Sequence, residues 1–293
     1  MRVDRHGRKI HGIPLATAIM AALGCGCAHT VPYVGQGPHP QITRGSPVPL
    51  IDFLGNVLAV PGKLILWNWQ FSNHAVSDQT ETVLARYLDA RDLPAFEDTT
   101  YRIDQYSPLQ DLRALIKNRH VAWPYRLLLG LPLTLIYDVA LPGRLIPWGD
   151  YYNAYTNTVH LYSDDPTVAL HEAGHAYDFA DFVLKGTYAL LRIIPCMDLY
   201  QEWRASEEAI TYLIEVEDLV IEFNAYKTLF PAYGTYVGSY LPIPFGSIPG
   251  ALAGHIAGRT KAAAKRRYYT HYDAVLGKTT GQSDIRNPSS ASY

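Results

Sequence analysis

The chain has 293 residues, of which 48% are hydrophobic, and its formal net charge at pH 7 is −2. This length is enough for one substantial domain or for two small ones. The nearly neutral charge balance excludes an argument for nucleic-acid binding from bulk charge, and we expect no nucleic-acid partner.

The N-terminal segment has the pattern of an export signal. Its first nine residues carry four basic side chains, and an apolar stretch over residues 10–23 follows them. That stretch is short for a membrane span, and it leads to Cys25 behind a small residue, which resembles a bacterial lipoprotein cleavage site. We therefore predict a signal peptide over residues 1–25 and an exported protein, lipidated at Cys25 and anchored to a bacterial membrane, facing the periplasm or in the outer membrane. A plain signal peptide and an uncleaved anchor are the alternatives.

The rest of the chain divides into three parts by composition. Residues 26–47 are rich in Gly, Pro and His, which predicts a tether. From about residue 48 the pattern becomes globular, and we expect one domain over residues 48–275. Residues 276–293 are polar and rich in Ser, which predicts a disordered tail.

Signals for helices and strands are mixed in the first half of the domain. Asp78–Glu81 has the pattern of a capping box and predicts a helix that runs to about Ala90. A second helix is predicted from Ser107 to about Asn118, and Leu133–Val139 predicts a strand.

Three stretches of the domain are unusually apolar, namely residues 48–69, 127–147 and 234–258. The first two are broken by Pro and Gly, so we expect them to form core, with contact to a membrane surface as the alternative. The third repeats Gly every four residues from Gly246 to Gly258, which places these glycines on one helix face. A helix packed closely inside the domain is expected there, and membrane insertion or packing on a partner is the alternative.

The most informative pattern is the pentapeptide His-Glu-Ala-Gly-His at residues 171–175. It lies in a predicted helix that Asp165 caps, that begins at Pro166 and that ends near Leu184. Positions i and i+4 share one helix face, so both imidazoles can point at one cation, and Glu172 is placed to take a proton from metal-bound water. Two histidines satisfied within the core are the alternative.

The segment before this helix, Asn153–Tyr162, is rich in β-branched and aromatic residues. It predicts an edge strand beside the metal helix, of the kind that pairs with an extended peptide substrate. An ordinary sheet edge without such a role is the alternative.

A catalytic zinc ion needs a third protein ligand and one open position for water. Residues 199–223 form a long helical pattern, and Glu202 falls in the middle of its apolar face, where a carboxylate must be paired, protonated or bound to metal. Glu202 is therefore the predicted third ligand, with a salt bridge to an arginine such as Arg192 as the alternative. Glu207 is the reserve ligand, and Asp181 is a weaker candidate because a continuing helix turns it away from the two histidines.

These motifs resemble the signature of gluzincin-type zinc metallopeptidases, which is H-E-x-x-H followed by E-x-x-A-D. The similarity covers residues 171–209 and is closest to the membrane-associated prenyl-protein and heat-shock zinc endopeptidases and their periplasmic relatives. It implies that His171, His175 and Glu202 bind Zn²⁺ and that Glu172 is the general base.

One position departs from that signature. Ser206 stands where the family has an Asp that orients a histidine ligand, and Asp178, one turn after the second histidine, is the alternative acceptor. His255 is a candidate donor to the negative charge that develops in the transition state.

The order of the elements predicts an α+β fold of zincin-like layout, with a small sheet and its edge strand beside the metal helix and a mainly helical C-terminal half. The predicted function is a zinc-dependent metallopeptidase that cleaves a protein or peptide and is anchored to a membrane outside the cytoplasm. The first alternative is a non-catalytic envelope lipoprotein with a structural or degenerate zinc site. The second is a membrane-surface binding module without metal.

Overall fold

A computed structural model describes residues 39–91 and 93–275 of the chain. The predicted signal peptide, its Cys25, the first part of the tether and the predicted tail lie outside these residues. The described part combines many helices with a four-stranded sheet, so the α+β class is confirmed.

The sheet has the strand order β1-β2-β4-β3. Its strands are β1 (Ile42–Arg44), β2 (Thr100–Ile103), β3 (Tyr151–Asn153) and β4 (Thr158–Leu161). The first three in this order are parallel, and β3 is antiparallel at one edge. Strand β1 lies inside the predicted tether, and the tether is therefore wrong for these residues. Ile42 is buried opposite Tyr101, which explains why this short segment joins the sheet.

The single edge strand predicted over residues 153–162 is wrong in detail, because the chain reverses there. Asn153 Oδ1 accepts hydrogen bonds from the backbone N–H groups of Tyr155 and Thr156, and Asn157 has a left-handed φ of 52°. The reversal separates β3 from β4, and β4 lies in the interior between β2 and β3. The strand at the sheet edge is therefore β3.

The helices of the first half occupy residues 49–140, apart from connections and β2. They are α1 (Pro49–Leu58), α2 (Val60–Leu66), α3 (Asp78–Ala90), α4 (Pro94–Glu97), α5 (Pro108–Lys117) and the composite helix α6, which consists of Trp123–Tyr125, Arg126–Gly130, Leu131–Thr134 and Leu135–Ala140. The predicted helices α3 and α5 are confirmed. Ser77, one residue before the predicted capping box, caps α3 by accepting a hydrogen bond from Thr80 N–H.

The strand predicted over Leu133–Val139 is wrong, because this segment belongs to α6. A short apolar run does not distinguish a buried strand from a helix by its periodicity. In α6 this segment has one buried and one exposed helix face. Thr134 and Asp138 are buried, whereas Leu135 and Ile136 are exposed.

The sequence predicts that residues 48–69 and 127–147 form core, and this is wrong for many of their apolar side chains, which are exposed. The large exposed side chains include Leu50, Phe53, Trp67, Trp69 and Leu128. By length and apolar character, no single helix in the described ranges is suited to cross a membrane, whereas α1 and α2 pass that test as a pair bent by 47°.

The second half of the domain is helical, as predicted. Its helices are α7 (Pro166–Asp181), α8 (Lys185–Leu191), α9 (Met197–Glu215), α10 (Leu219–Ser239) and α11 (Ser247–Val275). The single helix predicted over residues 199–223 is interrupted after Glu215, where Glu217 has a left-handed φ of 55°. The glycine repeat packs as expected, because a Cβ added to Gly250 would collide with the backbone of Gly234 in α10.

The main hydrophobic core lies between the sheet, α3 and the helices α7, α9 and α10. Helix α7 contributes Ala169, Leu170, Ala173 and Ala176, all of which are buried. This face packs α7 in the core, and His171, Gly174 and His175 lie against α9.

Candidate metal centre

Helix α7 begins where the sequence predicts. Asp165 Oδ1 accepts a hydrogen bond of 2.8 Å from Thr167 N–H, and Pro166 occupies the first turn. The helix ends at Asp181, earlier than predicted, and Lys185 Nζ donates to the carbonyl oxygens of its last turn. A cation at this end satisfies carbonyl groups that have no partner within the helix.

The two motif histidines lie beside the buried face of α7. The side chains of His171 and His175 are 13% and 12% exposed, and their ring centroids are 4.7 Å apart. Both rings are therefore largely enclosed, although solvent still reaches them.

Gly174 allows α9 to approach this part of α7 closely. A Cβ atom added to Gly174 would lie 2.6 Å from the carbonyl oxygen of Ala205, nearer than side chains approach a backbone. Glu202 and Ser206 lie next to Ala205 on the same side of α9. The close approach therefore brings both side chains to the histidine pair.

The predicted ligand atoms converge at this contact. His171 Nε2 lies 3.1 Å from Glu202 Oε2, and His175 Nε2 lies 3.4 Å from Glu202 Oε1. The three side chains each offer a donor atom within 4.8 Å of the others. Two ligands of one tetrahedral zinc ion are separated by roughly 3.4 Å, so two imidazoles and a carboxylate at these distances fit Zn²⁺.

Arg192, which the sequence suggests as a competing partner, also reaches Glu202. Its Nη2 donates to Glu202 Oε1 and so shares this oxygen with His175. Burial alone would raise the pKa of Glu202, but the charges of His175 and Arg192 and the histidine hydrogen bonds hold it well below the ordinary value. The carboxylate is therefore ionised, which is the form that binds a metal.

The same carboxylate acts on the first histidine. Burial opposes the charged form of His171, but its hydrogen bond to Glu202 and the charge of that carboxylate outweigh burial and raise its pKa. A proton and a metal ion therefore compete for this imidazole as the pH falls.

Ser206, and not Asp178, contacts a motif histidine at the ring nitrogen that points away from the proposed metal position. Ser206 Oγ lies 3.2 Å from His171 Nδ1, the nitrogen that faces away from Glu202. Asp178 instead accepts hydrogen bonds from Arg204 Nε and from the Tyr188 hydroxyl, and thereby ties α7 to α9 and α8. The serine thus occupies the place of the orienting Asp in the E-x-x-A-D pattern.

Three other residues singled out in the sequence lie outside this cluster. Glu207 is 45% exposed and pairs with Arg204 at 3.7 Å. Asp181 is exposed at the end of α7. His255 stacks on Trp67 at 4.0 Å, and its Nε2 bonds the carbonyl oxygen of Ile65. None of the three is brought to the histidine pair.

A cavity of about 510 Å³ opens beside the cluster. Glu172, which is 8% exposed, lines it together with His175 and Glu202, and β3 forms part of its wall. The remaining wall includes the apolar residues Leu128, Leu129, Pro132 and Leu133 from α6. The cavity therefore joins a carboxylate of the motif to an edge strand and an apolar surface.

Tyr236 is a cavity residue that the sequence does not reveal. It comes from α10, and the charge of Glu202 is the largest cause that raises its pKa, followed by burial. Its phenol is therefore protonated at neutral pH and is a hydrogen-bond donor. No local motif marks it, because its position depends on how α10 packs.

No protein family, no curated protein and no solved structure matches this chain. The chemistry of the cluster and its cavity therefore carries the functional argument.

Proposed function

We propose that this protein is a zinc-dependent metallopeptidase whose zinc ligands are His171, His175 and Glu202. The observation that carries this proposal is the convergence of the two imidazoles and the ionised carboxylate beside a cavity that also contains Glu172. In the described ranges this group has three members, and three protein ligands leave one position for water, as in catalytic zinc sites.

The residues around the ligands have distinct tasks in peptide hydrolysis. Bound zinc would supply a water of lowered pKa and polarise the scissile carbonyl. Glu172 accepts the proton of the attacking water and passes it to the leaving amine. The Tyr236 phenol donates a hydrogen bond to the oxygen that becomes negatively charged. Ser206 fixes the ring of His171 through Nδ1.

The cavity wall supports a peptide as substrate. Strand β3 is at the sheet edge and lines the cavity, so its backbone is placed to pair with an extended chain. The α6 side chains opposite favour apolar substrate side chains. With the export signal and the lipidation at Cys25 that the sequence predicts, the enzyme would act from a membrane surface outside the cytoplasm.

The test is Glu172→Gln, which keeps the shape of the side chain and removes its basicity. We expect the purified variant to retain the zinc content of the wild type and to lose at least about 10²-fold in the rate of hydrolysis of quenched fluorescent peptides. Glu207→Gln is the matched control, since this exposed carboxylate lies outside the cavity, and it should leave the rate unchanged. Hydrolysis at the wild-type rate by the Glu172 variant would contradict the proposal.

One observation favours a second candidate, a non-catalytic envelope lipoprotein with a structural or degenerate site. Arg192 forms an ion pair with the Glu202 carboxylate and places a positive charge beside the proposed metal position. Zinc bound at full stoichiometry without hydrolysis of any peptide in a diverse library would support this candidate over the peptidase.

A further inference from the structure

A second group of acidic and histidine side chains contacts strand β3 and shares no residue with the histidine pair. Asp111 comes from α5, Asp138 from the last segment of α6 and His160 from β4. We propose that these three residues, called here the inner cluster, bind a second divalent transition-metal ion that has a structural role. This proposal does not depend on the peptidase activity.

The geometry of the inner cluster is that of separated ligands and not of hydrogen-bonded partners. His160 Nε2 lies 3.6 Å from Asp111 Oδ1 and 3.9 Å from Asp138 Oδ1. Both distances exceed a hydrogen bond, which for nitrogen and oxygen ends near about 3.2 Å. They approach the separation of roughly 3.5 Å between nitrogen and oxygen ligands of one ion.

Three of the polar atoms in this group are buried without a partner among the described residues, whereas Asp111 Oδ1 accepts a hydrogen bond from Arg102 Nη1. The side chains of His160, Asp111 and Asp138 are at most 2% exposed. Both ring nitrogens of His160 and Asp138 Oδ1 lack a hydrogen-bond partner among the described residues. Because buried polar atoms in proteins are almost always partnered, these atoms indicate a ligand between them.

Two arginines, Arg102 and Arg144, lie beside the inner cluster and balance the charge of its two carboxylates. Arg102 pairs with Asp111, and Arg144 is held by the carbonyl oxygen of Asp150 and the ring of Tyr151.

The supporting contacts are those of a rigid structural site. The ring of Tyr151 stacks on His160 at 4.7 Å, and Asn153 Nδ2 donates to Asp138 Oδ2. Both supporting residues belong to β3, which also lines the cavity. One imidazole with two carboxylates suits Zn²⁺ or a neighbouring first-row ion, and Arg102 is a partner that holds Asp111 in place. A bound ion would thus brace the wall of the cavity.

The test counts metal ions in variants of each cluster. After incubation with Zn²⁺ and gel filtration, elemental analysis should give about two zinc ions per wild-type chain and about one for His175→Ala, whose remaining ion occupies the inner cluster. The His160→Gln variant should also retain about one zinc ion per chain, and the double variant His175→Ala/His160→Gln should retain none. Zinc should raise the melting temperature of His175→Ala but not that of the double variant.

The two proposals fail in different ways. One ion per wild-type chain that is lost in His175→Ala overturns the inner cluster and leaves the peptidase site intact. If the wild type binds one ion, and this ion is retained in His175→Ala and lost in Asp138→Asn, the inner cluster is supported. The zinc site proposed for the peptidase is then contradicted. Asp138→Asn is isosteric, so it provides the measurement if the His160 variant does not fold.

Discussion

Gly174 controls how closely the two ligand-bearing helices approach each other. The informative perturbation is Gly174→Ala, which adds one methyl group and changes none of the three proposed ligand residues. The new Cβ would lie 2.6 Å from the Ala205 carbonyl oxygen, whereas ordinary contacts begin at 3.4 Å. Helices α7 and α9 must therefore separate locally by the difference, about 0.8 Å, because the opposing atom belongs to the backbone.

A separation of this size matters more for the metal than for the fold. Metal–ligand distances tolerate errors of only about 0.2 Å. We therefore expect zinc affinity to fall by on the order of 10-fold to 100-fold, the range seen when groups that hold metal ligands are changed. Overpacking costs about 1–3 kcal/mol of folding stability, and the higher helix propensity of Ala offsets up to about 1 kcal/mol of that.

Zinc affinity is measured by competition with a chromophoric chelator, and stability by thermal unfolding of the metal-free protein. Gly254→Ala is the matched control. Its Cβ would lie 2.3 Å from the Phe230 carbonyl oxygen between α10 and α11, so it introduces a clash with backbone that is at least as severe, away from the histidine pair. We expect it to lower stability by at least as much as Gly174→Ala and to leave zinc affinity unchanged.

A Gly174→Ala variant that binds zinc as tightly as the wild type would show that this close contact does not position the ligands. If both glycine variants lost affinity in proportion to their loss of stability, the effect would be general and would contradict a specific role of Gly174.

Two further predictions concern single hydrogen-bonded groups. Ser206→Ala removes the partner of His171 Nδ1 and should weaken zinc binding by about 10-fold or more, whereas Ser206→Asp should bind at least as tightly as the wild type. A Ser206→Ala variant with wild-type zinc affinity by chelator competition would show that Ser206 does not orient the ring. Burial raises the pKa of Asp104 from 3.8 to about 7, so the folded state binds this proton more tightly than the unfolded state and stability falls as the pH rises from about 4 through 7. Asp104→Asn keeps an acceptor for Val76 N–H and should be more stable than the wild type at pH 8, by at most about 4 kcal/mol, with the gain disappearing near pH 4. Parallel stability curves from denaturant titrations of the two proteins across this pH range would contradict the assignment.

Local signals in the sequence predict the start of α7 and the placement of its histidines. Asp165 and Pro166 define the helix start through contacts within a few residues. The i, i+4 spacing of the two histidines then places both of them on one face of the helix. The position of Glu202 in an apolar helix face is also a local property. A carboxylate in an apolar face also needs a partner, which predicts the pairing with Arg192, and both His175 and Arg192 contact this carboxylate in the structure.

The remaining features depend on contacts between distant parts of the chain. Strand β1 is recognisable only through its pairing with β2, and the choice of Ser206 over Asp178 depends on how closely α9 approaches α7. Tyr236 reaches the cavity through the packing of α10. Periodicity also fails for the short apolar run in α6, since burial there differs from one helix face to the other.

In the proposed site, His171, His175 and Glu202 hold one zinc ion although Arg192 contacts the same carboxylate. Crystals grown with Zn²⁺ and measured on both sides of the zinc absorption edge test this directly. We predict an anomalous peak about 2.0–2.2 Å from the two Nε2 atoms and one Glu202 oxygen, with Arg192 on the other oxygen or displaced. A zinc-saturated crystal with no peak at this position and an intact Arg192–Glu202 ion pair would contradict the proposed zinc site.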